Sequence, residues 1–108
     1  VQRTSGAKHK AQLRAESPRD AEEMHQLVEA ERLLAAEPVR ALRIVREGHV
    51  KFRGGYFAQE RRYIEVMALF ALGRRGEAHA QATWFLRDYP SGPYRHRVES
   101  EMLRLPAR

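Results

Sequence analysis

A chain of 108 residues has room for one domain, or one domain and a tail, built on a single thin core. Ala, Arg, Glu and Leu dominate while Thr, Ile and Val are scarce, a usage that disfavours sheets. The lack of cysteine excludes disulfides and thiolate metal sites, and 20 Lys and Arg against 14 Asp and Glu leave a formal charge of +6. That balance suits nucleic acid or an anionic membrane surface, and equally the arginine-heavy usage of a GC-rich genome.

Residues 1–16 carry Gly, Ser, Thr and the basic Arg3, Lys8, Lys10 and Arg14 with no apolar period, which reads as a flexible basic tail or linker. No apolar run is long enough to span a bilayer and no signal-peptide core is visible. Because the first residue is Val1, a processed form or an excised piece of a longer protein is expected. A helical domain is expected over 17–105.

Ser17 opens the first helix as N-cap, with Pro18 at the first helical position and Asp20 in the capping-box position. Met24, Leu27, Val28, Leu34 and Ala35 then recur at helical spacing to an end near Ala36. Pro38 starts a second helix whose inner face is Ala41, Leu42, Val45, His49 and Phe52, closed by Gly54 and Gly55. A third helix spans about Tyr56 to Leu72. Its apolar residues cover most of the circumference and leave Arg61, Arg62 and Glu65 as a narrow polar stripe, which predicts a central helix. After Gly73, a fourth helix runs from Gly76 to Tyr89 with Ala78, Ala82, Phe85, Leu86 and Tyr89 inward. Pro90 to Pro93 stop it, and a short fifth helix carries Tyr94, Val98 and Met102. The fold class is all-α: about five helices, as two antiparallel hairpins and a C-terminal capping helix.

A shift of about 37 positions lays Ala41 on Ala78, Val45 on Ala82, Phe52 on Tyr89, Gly55 on Gly92 and Phe57 on Tyr94. The stretch from Ala71 through Gly73 and Gly76 to Ala78, followed by Phe85-Leu86-Arg87-Asp88-Tyr89-Pro90-Ser91-Gly92-Pro93-Tyr94, resembles the second half of a tetratricopeptide repeat. The resemblance spans about residues 18–105 and is nearest to the modules of bacterial envelope proteins, such as outer-membrane assembly lipoproteins and Tol-Pal accessory proteins. With Ala78 as anchor the chain departs from the pattern at Arg62 and Glu65, where the family carries a bulky residue and a leucine. The resemblance implies a right-handed α-solenoid fragment, protein or peptide binding, and a Gram-negative envelope setting ahead of the cytoplasm. In that family the first helix of each hairpin lines the groove. The positions implied are Glu23, Gln26 and Ala30, then Glu60, Tyr63, Met67 and Phe70, then Arg97 and Ser100, with Arg97 as a clamp for a ligand carboxylate.

Catalytic chemistry finds little footing. The five histidines include no HExxH pair, and His25 with Glu29 lacks further ligands, so no metal or cofactor is expected. Ser5, Ser17, Ser91 and Ser100 occupy a tail, caps or a short helix rather than a nucleophile elbow. Arg61-Arg62, Arg74-Arg75 and Arg95-His96-Arg97 could meet phosphates beside Tyr56, Trp84 or Tyr94, but interleaved Glu and Asp dilute them. The expected function is a non-catalytic protein-interaction module. Self-association is the first alternative, and accessory nucleic-acid binding the second.

Overall fold

A computed structural model describes residues 17–104, which form five α-helices and, among these residues, no strand. They are α1 (Pro18–Leu33), α2 (Pro38–Lys51), α3 (Ala58–Ala71), α4 (Arg75–Asp88) and α5 (Arg95–Leu103). The all-α expectation holds. The tail expected over 1–16 lies outside the described residues.

Local chemistry sets the boundaries. Ser17 caps α1 in an extended conformation, and its Oγ accepts from the Asp20 amide at 3.3 Å. The helix stops at Leu33, three residues before the expected end, because Pro38 keeps Glu37 out of the helical region, at φ −138° and ψ 67°. The α3 C-terminus is a Schellman turn: Gly73 adopts φ 74°, its amide donates to Phe70 at 3.0 Å, and Arg74 donates to Leu69 at 3.0 Å. Tyr56 and Phe57 stay outside α3, although their apolar character placed them in it. The Phe57 amide donates instead to the Glu23 carboxylate at 3.1 Å, which ties the turn to α1.

The 37-residue shift also matches helix bounds and caps. Adding 37 to the bounds of α2 gives those of α4, both of 14 residues. Phe52 and Tyr89 are the two C-cap residues, and Phe57 and Tyr94 the caps that open α3 and α5. Ala41, Ala78 and Ala82 are fully buried, as close helix crossings require. Each helix packs on its neighbour in sequence, and α3 also meets α1 and α5. The expectation of a central α3 therefore holds.

Two apolar clusters make the core. One joins Leu27, Ala30, Leu42, Val45, Phe57, Ile64, Ala68, Leu69 and Ala78, and the other joins Val66, Ala82, Phe85 and Val98. Tyr63 and Phe70 are partly buried against both. Two details differ from the sequence reading. On α2 it is Gly48, not His49, that completes the buried face. On α3 two members of the polar stripe are buried, Arg61 at 2% and Glu65 at 7% exposure, each with an ionic partner on another helix, while Arg62 stays partly exposed.

Candidate interaction face

α3 packs against both α1 and α5, and two tyrosines meet where α5 joins α3. Tyr63 of α3 and Tyr94 at the start of α5 stack with ring centroids 4.2 Å apart and planes 21° from parallel. Tyr63 also tilts against buried Phe85 at 6.4 Å. Half-burial raises the Tyr63 phenol above its ordinary value, with Arg97 working to lower it and Glu31 and Glu101 to raise it. The Tyr94 phenol is pushed up to about 12, first by burial, then by Glu60, Glu31 and Tyr63. Both rings thus stay neutral at physiological pH, able to donate a hydrogen bond and to present aromatic surface.

The seven expected binding residues do not share one environment. The charge of exposed Arg97 acts on the Tyr63 phenol, working to lower it. Glu60 is buried and engaged within the fold, and acts on Tyr94 from there. Met67 is buried at 8% exposure, and Phe70 lies partly buried with its ring centroid 5.4 Å from that of His79 and the Arg75 guanidinium near its face. Gln26 points toward α2, and Glu23 is 1% exposed. Of the further positions, Ala30 is fully buried and Ser100 is exposed. Sequence reasoning did not place Glu31, Tyr94 and Glu101 on this face. The 37-residue shift held a signal for Tyr94, since it aligns that residue with buried Phe57.

Behind the face lies a closed polar cluster. Glu23 pairs with Arg61, accepts from the Phe57 amide, and leaves Arg61 Nη2 to donate to the Phe52 carbonyl at 3.2 Å. One residue of α1 and one of α3 thereby clamp the α2–α3 turn. Gly55 and Gly48 make room for it: a Cβ on Gly55 would strike the Glu23 carboxylate, and one on Gly48 would strike Gln26 and come 2.7 Å from Arg61 Cδ. Glu23 Oε1, Gln26 Oε1 and Arg61 Nε are buried without a hydrogen-bond partner among the described residues.

A second network crosses α2, α3 and α4. Glu65 receives His49 Nε2 at 2.9 Å and Arg46 Nε at 3.1 Å, while Arg46 Nη2 reaches Glu77 at 2.5 Å and Arg74 reaches Glu77 at 2.8 Å. Burial works to raise the Glu65 carboxyl, but the hydrogen bonds from His49 and Arg46 and their charge outweigh it, holding it below its ordinary value. Other arginines of the sequence clusters are also engaged: Arg62 with Asp88 at 2.8 Å, Arg75 with the Arg104 carbonyl at 2.7 Å, and Arg95 with Glu99 at 3.1 Å.

Elsewhere, an open depression of about 680 Å³ runs along α2, lined by Val39, Leu42, Arg43, Arg46, Glu47, Val50 and Lys51, none of them an expected binding residue. Among the described residues no group of His, Asp and Glu is arranged to hold a metal ion, and no helix is long and apolar enough to cross a membrane. Comparison with known proteins finds no family model, no curated protein and no solved structure that matches the chain.

Proposed function

We propose that the chain is a tetratricopeptide-like, non-catalytic protein-interaction module, and that its ligand is a protein segment laid across the α1–α3–α5 face. The observation that carries this reading is the Tyr63–Tyr94 stack: two neutral, half-buried phenols where α5 meets α3. Aromatic side chains of this kind supply much contact area with few rotatable bonds, and they recur at the centres of protein interfaces. The 37-residue correspondence of α2 with α4 supports the repeat reading.

Photo-cross-linking tests it. A photoreactive phenylalanine analogue at position 63 should capture a protein partner, while the same group at exposed position 84 on α4 should not. Capture from position 84 alone would place the binding surface elsewhere. A second reading, self-association, is favoured by the exposure of Trp84 at 48% and Leu103 at 82%. A strict monomer in sedimentation at high protein concentration rules that one out.

A further inference from the structure

Val39, Arg43, Glu47 and Val50 follow one another along α2 at steps of three or four residues, and all four line the open depression on that helix. The valines at its two ends are 58% and 70% exposed. Between them, Arg43 and Glu47 are exposed and have no ion-pair or hydrogen-bond partner among the described residues. Their neighbours do: Arg40 holds Glu37, Arg46 holds Glu65 and Glu77, and Lys51 holds Glu22. Arginine four residues ahead of glutamate is the poorer order for a pair along one helix, which leaves both charges available.

We infer that this stripe docks a second copy of the chain, α2 against α2, antiparallel about a twofold axis. The order valine, cation, anion, valine is complementary to its own reverse. A twofold midway along the stripe sets Val39 of one copy against Val50 of the other, and Arg43 of each against Glu47 of the other. Two ion pairs and two apolar contacts then form together. Arg46 brings no free charge, since two carboxylates already hold it. A parallel pairing would set each charge against its like. One helix of 14 residues covers less than the about 800 Å² per partner of a standard interface, so the dimer is weak and depends on concentration. The stripe includes neither tyrosine of the stack, nor Trp84 or Leu103, and the inference stands apart from the proposed peptide site.

Sedimentation velocity over a concentration series reads the dimer, which should weaken as salt rises. Arg43→Glu and Glu47→Arg should each weaken it at least about tenfold, because each creates two like-charge contacts. An equal mixture of the two variants should dimerise about as well as the parent, one copy then offering only acids and the other only bases. Misfolding cannot produce that rescue. The chain has no cysteine, so Val39→Cys and Val50→Cys report the register. On oxidation of their mixture, 39 should link to 50 ahead of either self-linked pair, whose members lie roughly 16 Å apart along the axis. A chain that stays monomeric throughout, or a dimer indifferent to both charge reversals, overturns the inference. So does a mixture that shows no rescue while both variants keep the parent helicity, or linkage that favours 39 to 39.

Discussion

Glu23 and Arg61 are charges in a place where an isolated charge is strongly disfavoured, with side chains at 0% and 3% exposure. They are tolerated because the carboxylate also takes a backbone amide and the guanidinium also serves a backbone carbonyl. Removing one partner strands the other, so Arg61→Met or Glu23→Leu alone should each destabilise by about 3–5 kcal/mol. The double variant should recover much of that loss, and denaturant unfolding of all four chains closes the cycle. Non-additivity near zero would show that the two side chains do not act as a unit. The same cluster explains Gly48. Glycine inside a helix usually costs about 1 kcal/mol relative to alanine, so Gly48→Ala on an open helix face would stabilise. Here the added methyl meets Gln26 and Arg61, and a net loss of about 1–3 kcal/mol is expected from overpacking. A melting temperature equal to or above that of the parent would contradict it.

Between elements, the Glu65 network binds α2 to α3 and, through Arg46 and Glu77, to α4. The Glu65 carboxyl titrates below its unfolded value of 4.5, so the stability it adds is fully present above that value. It is lost as pH falls through the lower folded value. Stability of the parent should therefore drop on acidification below about pH 5, and Glu65→Gln should flatten that limb while lowering stability near neutrality. Unfolding by urea at a series of pH values measures both effects. An unchanged acid slope would show that Glu65 is not a source of it.

This element scale also marks how far the sequence could be read. Periodicity, prolines and glycines located all five helices within three residues at each end, since those signals are local. The sequence reads Arg61 and Glu65 only as a polar stripe, because a polar residue on a helix gives no hint of a buried partner 38 or 16 positions away. The candidate face was legible only at Tyr63 and Arg97. Its other members depend on where α5 lands against α3, which is a matter of packing between elements rather than of spacing within one.

At the scale of the whole molecule, α5 is a short end helix. The 37-residue correspondence gives α4 a partner in α2, while α5 follows the start of α3 and stops after nine residues. It is held by Val98 in the second cluster, with Tyr94 and Met102 partly buried beside it. α3, in contrast, is enclosed by α1, α2, α4 and α5. Cooperative units with few buried apolar contacts open at lower free energy than the core. In native-state hydrogen exchange α5 amides should exchange first and α3 amides last, with α4 between them. Val98→Ala deepens the contrast: loss of a fully buried side chain should lower the opening free energy of α5 by roughly 1–3 kcal/mol while changing α1 and α2 little. Because Tyr94 opens α5, the same variant should loosen the tyrosine stack and weaken any peptide that binds through it, although no residue of the face is altered. Equal protection across α3 and α5 would mean that the two clusters open together, and would make the binding face as rigid as the core.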